Sequence, residues 1–190
     1  VAKILIIVGH PRNDTYSDAL ADAYRDGALE AGHEVDLFRA AELTFDPILH
    51  DGYERVQPRE PDLEAVYRSM IAADHITVIF PIWMGTMPAL LKGLLERLLQ
   101  PELVAEGKAG KFPQPLKGKS VRLVTTSGMP GFLYRWWFGA PAIKILHNNI
   151  FGFLGAGPVR STVHGGIESV SDDTRKRWLD EMRGFGQRAR

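Results

Sequence analysis

Residues 4–8 form an unbroken apolar run, Ile4-Leu5-Ile6-Ile7-Val8, closed by Gly9. A run without polar alternation needs apolar cover on both faces, as a central parallel strand does. From residue 17 to 31 the period lengthens. Leu20, Ala23, Tyr24, Gly27, Ala28 and Ala31 share one helical face, and Gly32 follows where glycine often ends a helix. Residues 34–38 predict a second strand. Pro61 opens a helix with the stripe Leu63, Val66, Tyr67, Met70 and Ile71. Residues 75–80 predict a third strand, stopped by Pro81. A helix over 88–99 turns Leu91, Leu94, Leu95 and Leu98 inward. Residues 120–126 and 159–163 predict two more strands. Residues 136–153 read as an interrupted helix. Residues 171–187 form a final amphipathic helix with Trp178, Leu179, Met182 and Phe185.

Strand and helix thus alternate five times within 190 residues, enough for one domain spanning 1–190. This alternation predicts an α/β fold: a parallel sheet with helices on both faces, linked by right-handed crossovers. Five strands fit the doubly wound order 2-1-3-4-5, in which ligands bind beyond the carboxyl ends of the strands where the order reverses. The loops after strands 1, 3 and 4 then surround one crevice. Residues 39–61 read as a long, proline-containing loop and 101–118 as an exposed excursion. Lys108, Lys111, Lys117 and Lys119 on the latter are expected to be solvated.

Composition narrows the chemistry. There are 23 basic and 23 acidic residues, so no net field favours nucleic acid. The chain has no cysteine, which excludes disulfides, thiol nucleophiles and thiolate metal sites. Any redox chemistry then needs a bound cofactor. The six histidines form no compact metal-ligand pattern. Val1-Ala2-Lys3 runs straight into a strand without the apolar core of a signal peptide, and no window approaches the ~20 apolar residues of a transmembrane span. A cytoplasmic enzyme is expected.

The first loop, residues 9–17, joins a strand to a helix N-terminus, where free N–H groups favour phosphate. Thr15 and Ser17 add hydroxyls, and His10 or Arg12 can add charge. The alternative is a polar turn in which Thr15 or Ser17 caps the helix. The second loop, Pro81-Ile82-Trp83-Met84-Gly85-Thr86-Met87-Pro88, is apolar where a surface turn is usually polar. A flat apolar ligand explains this, as does packing against a helix or a second subunit. The third loop, Thr125-Thr126-Ser127-Gly128 and onward to Tyr134, offers hydroxyls and backbone donors, or is an ordinary strand-end turn.

In these stretches the chain resembles the flavodoxin-like NAD(P)H:quinone oxidoreductase family. The likeness runs through His10-Pro11 to Leu20, Phe80-Pro81-Ile82-Trp83 to Gly93, and Thr125-Thr126-Ser127-Gly128 with Tyr134, and includes Phe45-Asp46-Pro47-Ile48. It implies a flavodoxin-like three-layer sandwich, a tightly bound flavin, a homodimer with its sites at the subunit interface, and a ping-pong cycle. In that cycle NAD(P)H delivers hydride to flavin N5 and a quinone-like acceptor removes it. The resemblance favours FAD, with FMN as the alternative. By position, His10, Thr15, Tyr16 and Ser17 serve the flavin phosphate. Pro81, Ile82, Trp83, Met84 and Gly85 line the isoalloxazine. Thr125, Thr126, Ser127 and Gly128 bind the ring edge and ribityl chain, and Tyr134 sits near the flavin as the catalytic candidate. The family's histidine six residues after the tyrosine is here Ala140, and the nearest downstream histidine is His147.

Trp136-Trp137-Phe138 fits either a pocket wall or a subunit contact. A different class of function is an ancillary subunit of a membrane potassium-efflux transporter, for which this aromatic cluster supplies an apolar surface. A one-electron carrier is disfavoured by the zero net charge.

Overall fold

The computed structural model describes residues 1–108 and 114–189. Its sheet comprises β1 (Lys3–Val8), β2 (Glu34–Arg39), β3 (His75–Pro81), β4 (Ser120–Ser127) and β5 (Val159–Gly165). The order is β2-β1-β3-β4-β5 and every pairing is parallel. The apolar runs are explained by alternation across two layers. Ile4, Ile6, Val8, Ile79 and Val124 face α1 (Tyr16–Glu30) and α5 (Asp172–Gln187). Leu5, Ile7, Val78, Phe80, Val121 and Leu123 face the other layer. That layer holds α2 (Pro61–Ala72), α3 (Ala89–Lys108) and an irregular stretch after β4.

Helices α1 and α5 meet backbone to backbone. A Cβ on Gly27 would lie 2.1 Å from the Arg183 carbonyl oxygen, and one on Gly186 would lie 2.0 Å from that of Tyr24. Only glycine allows this approach. On the same face His75 is buried in the sheet, hydrogen-bonded to Ser120 (2.7 Å) and Thr77 (3.1 Å) and stacked on Tyr24.

Three expectations change. First, α3 does not stop at residue 99; it continues through Pro101 to Lys108, losing one amide donor without ending. The expected excursion is thus helical in its first part, and Lys111 lies outside the described residues. Second, Lys119 is not simply solvated: its ammonium donates to the carbonyls of Ile71 and Ala73 (2.5 and 2.7 Å). Third, the long loop after β2 is tied to α3. Buried Arg97 donates to the Asp46 and Pro58 carbonyls (2.6 and 2.7 Å) and pairs with both Glu60 oxygens at 3.0 Å. Gln100 holds the carbonyls of Gly52 and Arg55.

The interrupted helix is two wide π-helical turns, Leu133–Trp137 and Ile145–Phe151, flanking the short α4 (Pro141–Lys144). The break falls at Gly139 and Ala140, whose φ angles are +70° and +48°. Among the described residues no helix is long and apolar enough to cross a membrane.

Candidate functional site at the carboxyl edge of the sheet

The sheet order reverses between β1 and β3, and a cleft of about 430 Å³ opens there. It draws on the three loops foreseen and on a fourth.

From the first loop come His10, Arg12, Asp14, Thr15, Tyr16 and Ser17. His10 is 8% exposed, and its Nδ1 accepts the Arg12 amide at 3.0 Å, so Nε2 carries the proton. Burial holds its pKa below 6.5. His10 therefore offers its Nε2–H as a donor. Its ring meets Trp83 edge-on, with centroids 5.4 Å apart.

The hydroxyls of this loop are largely committed. The Thr15 amide and hydroxyl both donate to one oxygen of buried Asp18 (2.8 and 2.7 Å). The other Asp18 oxygen accepts from Arg39 at 2.9 Å. Burial would raise the Asp18 pKa, but the bonds from Thr15 and Arg39 outweigh it and hold the carboxyl below its usual range. The Tyr16 hydroxyl donates to the Arg175 carbonyl at 2.9 Å, and burial pushes its pKa up to about 12. What faces the cleft for an anion is the start of α1, with the Tyr16 and Ser17 amides in its first turn, together with the Ser17 hydroxyl and the His10 N–H.

From the second loop come Pro81, Ile82 and Trp83. The Ile82 amide donates to the Thr126 carbonyl at 2.7 Å, extending the sheet by one rung. Trp83 and Thr86 then exchange two backbone bonds (2.8 and 2.9 Å). The residues between them, Met84 and Gly85, have φ of +50° and +80°. This is a mirror-image two-residue turn, in which glycine is at ease and methionine is strained. Met84 is fully exposed at its tip.

From the third loop come Thr126, Ser127 and Gly128. The Ser127 hydroxyl donates to the Met129 carbonyl at 2.7 Å, and the space beside Gly128 is open. The fourth contribution, Ile167 and Glu168, follows β5 and was missed from sequence. It is drawn in by close backbone contact: a Cβ on Gly165 would lie 2.1 Å from the Gly131 nitrogen, and the Ile167 amide donates to the Ser127 carbonyl at 3.1 Å. The glycine pair Gly165-Gly166 at the end of the neighbouring strand was the available signal.

Of the residues expected at the site, His10, Thr15, Tyr16, Ser17, Pro81, Ile82, Trp83, Thr126, Ser127 and Gly128 share the cleft. Met84, Gly85, Thr125 and Tyr134 do not line it. Met84 and Gly85 form the tip of the turn, beyond the cleft wall. Thr125 alternates to the opposite sheet face, where its buried hydroxyl has no hydrogen-bond partner among the described residues. Tyr134 is fully buried: its hydroxyl donates to the Gly85 carbonyl (3.3 Å) and accepts the Ala142 amide (3.1 Å). Burial raises its pKa. As a proton donor to the cleft it lacks both position and a free proton; it straps the Met84-Gly85 turn to the start of α4. A separate apolar groove of about 230 Å³ lies between α3 and Ile145–Phe151, and none of the four loops reaches it.

A family model described as flavodoxin-like fold matches residues 2–184. The chain belongs to that family. An uncharacterized NAD(P)H oxidoreductase of Haemophilus influenzae is 27% identical over 183 residues, covering 93% of this chain and 90% of its own. An FMN-dependent NADH:quinone oxidoreductase of Ruegeria pomeroyi is 30% identical over 165 residues, 75% of each chain. The crystal structure of Smu.1420 from Streptococcus mutans superposes with a TM-score of 0.77 at 26% identity, over 97% of this chain and 98% of that one. The family membership and the flavodoxin-like fold agree with the resemblance read from the sequence.

Proposed function

We propose that the protein is a flavin-dependent NAD(P)H:quinone-type oxidoreductase. The observation that carries this reading is the convergence of the loops after β1, β3 and β4 on one cleft that brings a helix N-terminus and hydroxyl side chains together with Ile82 and Trp83. The start of α1, Ser17 and His10 would hold the flavin phosphate. Ile82 and Trp83 would flank the ring, and Thr126, Ser127 and Gly128 would take its polar edge and ribityl chain. When bound, the flavin supplies two-electron chemistry, accepting hydride at N5 from a nicotinamide and passing it to an acceptor in a ping-pong cycle.

The chain's own contribution is orientation and electrostatics. His10 donates a hydrogen bond through its Nε2–H. Asp18 is anionic but is neutralised by Arg39, so the start of α1 keeps its attraction for phosphate. The cleft volume, toward the small end of the ~300–1,000 Å³ typical of ligand sites, favours FMN over the FAD that the resemblance suggested. The homodimer implied by the resemblance belongs to the same reading, with sedimentation equilibrium as its test.

The purified protein should be yellow or become so with FMN, release FMN on denaturation as identified by mass, and oxidise NAD(P)H with a simple quinone. A colourless protein that takes up neither FMN nor FAD and stays inactive with both would sink the proposal. The alternative of an ancillary transporter subunit draws on the exposed Trp136 and Trp137. Co-purification with a membrane protein would favour it.

A further inference from the structure

A ring of hydrogen bonds joins the four loops around the cleft. The Ile82 amide of the second loop donates to the Thr126 carbonyl of the third at 2.7 Å. The Ile167 amide of the fourth loop donates to the Ser127 carbonyl at 3.1 Å. The Gly9 amide ties the first loop to β3 through the Ile79 carbonyl at 2.8 Å. These three links run main chain to main chain. The ring closes between the first and fourth loops, and there the links use side chains. The Tyr16 hydroxyl donates to the Arg175 carbonyl at 2.9 Å, and the Arg175 guanidinium donates to the Ile167 carbonyl at 2.8 Å.

Arg175 itself does not line the cleft. It stands in the first turn of α5, where its other terminal nitrogen pairs with the exposed Asp172 at 2.9 Å. Helix α5 has separate anchors. Trp178 packs beside Tyr16, with ring centroids 6.5 Å apart, and stacks on His164 at 4.6 Å and 17°. His164 is buried, reaches Glu181 at 3.2 Å, and stands in register with Thr126 of the cleft wall. The Gly27 and Gly186 contacts hold the rest of the helix. Removing the guanidinium therefore cuts one link and leaves α5 in place.

Both main-chain polar groups of Ile167 are thus engaged, its amide by the third loop and its carbonyl by a charged donor. The linkage runs from the start of α1, where a flavin phosphate would sit, through Arg175 and Ile167 to Ser127, where the ring edge would sit. A ligand gripped at both ends gains affinity from a span fixed in advance, whereas one gripped at a single end does not. FMN has both ends; riboflavin has only the ring and ribityl chain. We propose that Tyr16 and Arg175 are positioning residues that fix the span of the cleft and, with it, a preference for phosphorylated flavin. This inference rests on the flavin reading; the two residues act through the start of α1 and Ile167 and take no part in hydride transfer.

The test is the affinity of the full chain, stripped of bound flavin, for FMN and for riboflavin, read by quenching of flavin fluorescence and accompanied by thermal midpoints. The wild type should bind FMN more tightly than riboflavin. Tyr16→Phe and Arg175→Met should each weaken FMN about five- to tenfold, the scale of one hydrogen bond, and riboflavin less than about twofold. The two links lie in series, so the double variant should bind FMN no more weakly than either single one. Tyr16→Phe alters no charge. An FMN loss confined to Arg175→Met would therefore assign the effect to Coulomb attraction of the phosphate and overturn the proposal. Equal weakening of both flavins with a lowered thermal midpoint would make the two residues merely structural and overturn it as well. An FMN preference unchanged in both variants overturns this inference alone. A wild type that binds neither flavin overturns it together with the oxidoreductase reading.

Discussion

The two helical layers use their surfaces in opposite ways. On one side of the sheet α1 and α5 touch through Gly27 and Gly186, and the side chains between them are buried. On the other, α2 and α3 are followed by wide π turns, a left-handed Ala140 and two exposed tryptophans. The cleft takes the residues proposed to hold a phosphate from the first layer, through α1. Its Ile82 and Trp83 come from the β3–α3 turn, which Tyr134 of the second layer holds in place. A layer packed backbone to backbone gives precise donors but no spare surface. An irregular layer leaves strained turns and aromatic rings available to ligands and partners. The stable side positions; the looser side recognises.

The hardest blow to this contrast would come from Gly186→Ala. Its Cβ meets a carbonyl oxygen that cannot rotate away, so a loss of about 3 kcal/mol or more is expected in urea unfolding. A loss below about 1 kcal/mol would mean that the α1–α5 contact can slide, and the distinction between the layers would fall.

Next in size is an acid effect centred on His75. Burial, with Arg122 and Arg160 nearby, pushes its pKa down to about 3. The unfolded chain takes up this proton below about 6.5, whereas the folded chain does not until near 3. The contribution is thus complete above pH 6.5 and is lost as pH falls from 6.5 toward 3, at up to about 1.4 kcal/mol per unit. His75→Gln, which can keep the bonds to Ser120 and Thr77, should flatten that part of the profile between pH 7 and 4.5. Parallel profiles for variant and wild type would contradict it.

A smaller effect sharpens the other side. Tyr134→Phe leaves the buried Ala142 amide without its acceptor and should cost about 1–2 kcal/mol. The pH profile of NAD(P)H oxidation should stay where it is. Lost turnover with unchanged stability would return Tyr134 to the chemistry. Smallest is Met84→Gly, which relieves a positive φ at a fully exposed position and should stabilise by up to about 1 kcal/mol. Destabilisation would mean that the greater freedom of glycine in the unfolded chain outweighs the relieved strain.

Much of this was legible along the chain because parallel strands declare themselves. Residues 4–8 and 75–80 are apolar throughout, and alternation with helices leaves few sheet orders. The cleft followed, since the carboxyl ends of β1, β3 and β4 fall together in that order. Side-chain direction was less legible. Thr125 and Thr126 are neighbours in the same motif, yet the pleat sends one to the core and the other to the cleft. Tyr134 was placed by sequence position, but a π turn rotates it inward. The Asp18–Arg39 pair, which takes up the Thr15 hydroxyl, joins residues 21 apart and has no local pattern. Ile167 and Glu168 depend on a glycine contact between two loops that sequence spacing does not reveal.

The Gly27–Gly186 crossing also bears on how the chain can change over time. Each glycine faces a main-chain oxygen of the opposite helix and not the other glycine. A side chain gained at one position therefore cannot be accommodated by trimming the other, which has nothing left to remove. Two substitutions would add two collisions, so no compensating pair exists at this crossing. Divergence among descendants of this chain should pass around these two positions while the aromatic side of the molecule drifts.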